Sequence, residues 1–181
     1  MSRLTIPARD DVPAESKPIL DAVQSQLGVV PNMFRLIASS PAALQGYTAN
    51  NAALAKALDV KTRERIALAV AQVNGCDYCL SAHSYLGMNM AKISNEEIAL
   101  NRMGRSGDPK ADAAVRFATN AVRDRGRVAD ADIEAVRKAG FSDGQIVEII
   151  AVAAENVFTN LLNVVAGTDI DFPVVQAAEA A

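Results

Sequence analysis

No run in these 181 residues alternates apolar and polar side chains over the length of a strand, while the marks of helix ends recur almost throughout. That pattern predicts an all-α chain, a bundle of seven or eight helices. A first helix runs toward Gly28, starting either at Asp11 with Pro13 or at Ser16 with Pro18. Pro31 starts a short one through Met33, Phe34, Leu36 and Ile37, and Ser40 with Pro41 opens another that ends near Leu58. Thr62 is read as the cap of the next, which carries Ile66, Ala67, Val70 and Val73 on one face. It stops at Asn74-Gly75, because glycine ends helices and tolerates the left-handed conformation. Cys76 then begins a new helix. Ser94 with Glu97 reads as a capping box, Asp108 with Pro109 opens a helix toward Gly126, and Asp130 caps a short one ending at Gly140. Ser142 and Gln145 form a second capping box, whose helix passes Ile146, Ile149, Ile150 and Val157 to reach Gly167 or break at Asn156. The tail holds Pro173 and is expected to be extended before it frays.

An offset of 80 residues lays Thr62 on Ser142, Ile66 on Ile146, Val70 on Ile150, Tyr78 on Phe158, His83 on Asn163 and Gly87 on Gly167. Two alanine-rich amphipathic helices with similar caps can match this well by chance, and a degenerate duplication accounts for it equally. Under duplication Cys76 falls on Asn156 and Cys79 on Thr159, so the thiols belong to the first half, about 12–104. The second half, about 108–167, would then be scaffold and 168–181 a tail, all within one domain.

Half of the chain is hydrophobic, enough for a sizeable core, and with aromatics at 4% and no Trp the apolar content is mostly Ala, Leu, Ile and Val. A net charge of -3 without a Lys/Arg cluster gives no footprint for nucleic acid. The N-terminal MSRLTIPARDDVP lacks the apolar core of a signal peptide, and the longest apolar stretches read as interrupted well short of a membrane span. The expectation is a cytoplasmic protein with neither a nucleic-acid nor a membrane partner.

Against that background Cys76, Cys79 and His83, the chain's only cysteines and only histidine, fall within CDYCLSAH. At about 100° per residue Cys79 lies about 60° around the helix from Cys76, and His83 about 40° from Cys79, so all three share a face. A first-turn position favours an anion, and a C-x-x-C at a helix start lowers a thiol's pKa. Such a thiolate attacks a peroxide oxygen or a disulfide sulfur; with peroxide it becomes a sulfenic acid, which the neighbouring thiol condenses to a disulfide. His83 can serve Cys79 as general base or pass its proton onward, with Glu64 a candidate receiver. By spacing alone Glu64 reads as a solvated residue complementing its own helix dipole. Two other readings stay open: an inert buried pair, and zinc, for which a fourth ligand is missing.

The stretch ERIALAVAQVNGCDYCLSAHSYLG resembles the core of the alkyl hydroperoxidase D and carboxymuconolactone decarboxylase superfamily, with its pattern E-x11-C-x-x-C-x3-H at Glu64, Cys76, Cys79 and His83. The flanks VVPNMFRLIASSPAAL and FTNLLNVVAGTDIDFP are similar to the branch called peroxidase-related enzymes, so the resemblance runs from about Pro7 to Pro173. It implies an all-helical subunit, assembled as a homotrimer or homohexamer, that reduces organic hydroperoxides without cofactor or metal. Cys79 would be the peroxidatic residue, Cys76 the proton donor and resolving thiol, and His83 with Glu64 the proton relay. A dithiol, such as the lipoyl group of a partner protein, would be the reductant. Where the best-known hydroperoxidases carry a second histidine this chain has Tyr78, a hydrogen-bonding or packing residue rather than a base. Asn160 and Asn163 resemble a family feature and are read as interhelical hydrogen-bonders or caps. A decarboxylase-like lyase, which does not rely on a cysteine pair, and a non-enzymatic redox sensor or assembly module are the alternatives.

Overall fold

The computed structural model describes residues 2–177, and among them it contains nine α-helices and no strand. Two 3-10 turns, Arg9–Asp11 and Ala14–Ser16, lead into α1 (Lys17–Leu27), followed by α2 (Asn32–Ile37) and α3 (Pro41–Leu54). Then come α4 (Val60–Val73), α5 (Asp77–Asn89), α6 (Asn95–Arg102), α7 (Pro109–Arg123), α8 (Asp130–Lys138) and α9 (Asp143–Ala166). The count exceeds seven or eight because every start signal opens a helix of its own, α2 and α8 included.

Several caps differ from expectation for local reasons. Asp59, not Thr62, caps α4: its Oδ1 accepts the Thr62 N–H at 3.0 Å, and the buried Thr62 hydroxyl donates to Oδ2 at 2.6 Å. A carboxylate one turn earlier takes the role from the hydroxyl. Ser94 caps α6 by accepting from Glu97 N–H, but the Glu97 carboxylate turns to Ser106, Gly107, Asn101 and Arg65 instead of closing the box. At α8 the cap is Ala129, whose N–H donates to Asp132, and Asp130 is the first helical residue. The Ser142/Gln145 box is present in both directions. From it α9 continues unbroken past Asn156 to Gly167, which takes φ 57°. By length and composition α9 could cross a membrane, a correction to the sequence reading of the apolar stretches. In the fold it packs against α3, α4, α5 and α7.

The centre is α4. Ile66, Ala67, Leu68, Ala69, Val70 and Ala71 are all buried, so the middle of the helix is apolar on every side, not along one stripe, and Val73 is exposed. One flank builds a core with α7, α8 and α9 through Val115, Val136, Phe141, Ile149 and Val152. The opposite flank, with Leu68 and Ala71, builds a second core that contains Cys76, Tyr78, Cys79 and Leu80 of the α5 region together with Ile93 and Ile98. The N-terminal helices enclose a third around Leu20, Ile37 and Leu44. Residues 168–177 form no helix and run along α5, where Val175 N–H donates to Ser81 Oγ and Ala177 N–H to Asp77. Residues 178–181 of the tail lie outside the described residues.

Candidate active site

The site begins with a helix end. Asn74 closes α4, Gly75 takes φ 63°, and the Cys76 N–H reaches back to the Ala71 carbonyl at 3.0 Å, the reverse turn that a left-handed glycine permits. Cys76 is therefore the N-cap of α5 rather than part of its first turn, and its sulfur accepts the Cys79 N–H at 3.2 Å. With Cα atoms 5.3 Å apart, Cys76 and Cys79 are joined as a disulfide. Both lie deep in the fold, at 1% and 3% exposure.

One turn further along α5, His83 Nδ1 meets Glu64 Oε2 at 2.9 Å, with side chains 22% and 17% exposed. Glu64 is not the solvated residue its spacing suggested; α4 packs directly on α5 and turns it inward. Burial pulls the His83 ring down, but the charge of Glu64 and its hydrogen bond, the charge of Glu155 and the Asn156 side chain outweigh it and hold the imidazole above its ordinary value.

Glu155 and Asn156 are site residues that no sequence motif marked. Glu155 enters from α9, half-buried, hydrogen-bonded by the Asn50 and Asn51 side chains of α3, with one buried carboxylate oxygen lacking a partner. Burial lifts its carboxyl above the usual range, against the opposing pull of those amides, Arg63 and His83. The signal was available only as a polar stripe in an apolar helix: Asn156, Thr159, Asn160 and Asn163, at helical spacing, are all buried. Asn160 accepts from Asn74 at 2.9 Å, tying α9 to the α4–α5 break, while Asn163 Nδ2 points to Cys79 Sγ at 3.4 Å. The second half of the chain thus brings side chains to the thiols as well as packing behind them.

Tyr78 occupies no such position. Its hydroxyl donates to Asp171 at 2.8 Å and accepts from Met33 N–H at 3.1 Å, and its ring meets Phe172 edge-on. Burial, together with the nearby Asp171 charge, pushes the phenol well up, although the Met33 bond pulls the other way. The residue fastens the C-terminal segment and α2 to α5. Among the described residues no cluster of three or more His, Cys, Asp or Glu is arranged to hold a metal ion.

Residues 41–120, which contain the whole Glu64–His83 pattern, match the Carboxymuconolactone decarboxylase family. An uncharacterized protein of Haemophilus influenzae is 54% identical over 46 residues, 24% of this chain, so the match spans only 41% of that curated relative's length. Among solved structures, an uncharacterized peroxidase-related protein from Ralstonia eutropha JMP134 with an alkylhydroperoxidase AhpD core superposes with a TM-score of 0.83 at 27% identity, covering 94% of this chain and 92% of that one. A peroxidase-related protein from Silicibacter sp. TM1040 gives 0.80 at 26% identity over 93% and 91% of the two chains. The debrominase Bmp8, solved with 2,3,4-tribromopyrrole, gives 0.79 over 94% of each chain, and at 18% identity the likeness is one of fold.

Proposed function

Because the chain belongs to the alkyl hydroperoxidase D and carboxymuconolactone decarboxylase superfamily, we propose that it is a thiol-dependent peroxidase reducing organic hydroperoxides through a Cys76/Cys79 dithiol–disulfide cycle. The observation that carries this reading is the bridged cysteine pair at the start of α5, one turn before a histidine held by a carboxylate.

In the reduced protein the Cys79 thiolate attacks the terminal oxygen of ROOH. An S–O bond forms, the O–O bond breaks, and the leaving alkoxide takes the proton held by His83, whose charged form Glu64 stabilises. The product is Cys79 sulfenic acid. Cys76 then attacks its sulfur, the disulfide forms, and water departs. A dithiol donor, for which a lipoyl group is the proposed class, returns two electrons and two protons. The setting is a reducing compartment such as the cytoplasm, and the assembly a homotrimer or homohexamer.

Thiol counting tests the reading. One equivalent of cumene hydroperoxide should reduce two titratable thiols to none, and Cys79→Ser should abolish turnover with excess dithiothreitol. Persistence of both thiols sinks it. Lactone decarboxylation by a Cys76→Ser/Cys79→Ser protein would point to the lyase, and oxidation without turnover to a sensor.

A further inference from the structure

The polar stripe of α9 plays no part in the reaction as outlined, yet one member of it touches the reacting sulfur. Asn163 is 3% exposed, and its Nδ2 lies 3.4 Å from Cys79 Sγ. Its backbone carbonyl is already engaged by Thr168 N–H at 3.1 Å, so the C-terminal turn of α9 fixes where the side chain starts. The neighbours in the stripe have other work. Asn156 donates to the Val152 carbonyl at 2.9 Å and lies against His83, and Asn160 holds Asn74. The Asn163 side-chain oxygen is buried and has no protein partner, as is true of the Nδ2 of Asn160 one turn earlier, and of the two it is Asn163 that also reaches the Cys79 sulfur.

A buried amide whose acceptor goes unmet costs stability unless something else occupies that acceptor. Turning the amide over would not resolve it, because it would aim an oxygen at a sulfur that carries negative charge when active and leave a donor stranded instead. The arrangement suits two guests at once. A thiolate takes the Nδ2 donor, in a charge-assisted bond stronger than the one a neutral sulfur accepts. An incoming group beside that sulfur that carries its own O–H takes the oxygen.

We propose that Asn163 is a catalytic residue of the peroxide site, its Nδ2–H holding Cys79 as thiolate and its Oδ1 accepting a hydrogen bond from the terminal O–H of the substrate. The inference rests on the peroxidase reading and adds a substrate rule to it. Hydroperoxides, R–O–O–H, carry the donor that Oδ1 needs; dialkyl peroxides, R–O–O–R′, do not. In the attack, the S–O bond forms to the terminal oxygen as the O–O bond breaks, and RO⁻ leaves with the His83 proton. The terminal oxygen keeps its own hydrogen, which becomes the sulfenic O–H and stays bonded to Oδ1. No other reactant is required.

Asn163→Leu removes both contacts and Asn163→Asp keeps an acceptor while replacing the donor with a charge; melting curves confirm that each is folded, and Asn163→Ser stands in for one that is not. The first readout needs no peroxide. In a Cys76→Ser background, the pH midpoint for alkylation of Cys79 by iodoacetamide should rise by about one unit in Asn163→Leu, and further in Asn163→Asp. An unchanged midpoint overturns the donor half. The second uses tert-butyl hydroperoxide at a pH where Cys79 is fully ionised: sulfenic acid formation should fall about 10- to 100-fold in Asn163→Leu. Di-tert-butyl peroxide should react poorly with the Cys76→Ser protein and no worse with Asn163→Leu. Equal hydroperoxide rates, or a matching loss with the dialkyl peroxide, overturn the acceptor half. If the reduced protein with both cysteines in place ignores tert-butyl hydroperoxide while the alkylation midpoint still shifts, the peroxidase reading fails and the Nδ2 contact survives.

Discussion

His83 stands between carboxyl groups from two different helices, and its charge answers to both. Glu64 holds Nδ1 directly, and Glu155 acts through its charge from α9, against the opposing effect of burial. As the chain's only histidine it gives a single imidazole titration by NMR. Glu64→Gln should lower the His83 midpoint by about one unit or more, and Glu155→Gln should lower it by less. A midpoint that stays put in Glu64→Gln would remove Glu64 from the relay. The pH dependence of stability follows from the direction of the shift. A histidine raised above its ordinary value of 6.5 contributes stability that is fully present below that value and is lost as pH rises through the folded pKa. The stability gap between wild type and Glu64→Gln, read by denaturant melts, should therefore be widest below about pH 6.5 and narrow above it. At this scale Cys76, Cys79 and His83 were legible because their close spacing fixes a shared face, whereas Glu64, on α4, entered only through the family pattern. Glu155 was not legible, since nothing local says that α9 lies against α5.

Gly75 decides whether this stretch is one helix or two. At the 80-residue offset its counterpart is Glu155, and there α9 runs on without interruption, whereas Gly75 in the left-handed region stops α4 and leaves Cys76 free to cap α5. The break was legible in the sequence because glycine announces it. The cap at Asp59 was missed because Asp59 and Thr62 are both capping types, and only the backbone turn selects between them. Nothing crowds a Cβ at position 75, so the cost of substitution there is conformational. Gly75→Ala should cost about 1–2 kcal/mol and lower Tm by a few degrees, roughly 2–8 °C, with Gly75→Asn milder because asparagine tolerates this region better. If alanine and asparagine melt together at the wild-type temperature, left-handed strain at Gly75 is not what shapes the start of α5.

Over the whole molecule, α9 has two faces that carry different information. The inward face brings Asn156, Asn160 and Asn163 to the thiol region; the outward face exposes Val147, Ile150, Phe158, Leu161, Val164 and Val165, with Leu161 at 59%. The hydrophobic pattern made α9 visible in the sequence but could not apportion its residues between core and surface, because its polar stripe faces inward and its apolar face outward, the reverse of the usual amphipathic reading. A continuous apolar face of this length is unusual on a monomer. Closed assembly of identical chains, as proposed above, would cover it with a second copy and leave no apolar strip in water. Sedimentation or light scattering should then give a mass of three or six times 19.1 kDa. An Ile150→Glu/Leu161→Glu pair should shift it toward the monomer with the helical signal and the Glu64–His83 titration retained, since both side chains are exposed and neither lies in the site. A wild-type protein that already sediments as a monomer at micromolar concentration would leave the outward face of α9 with no role in assembly.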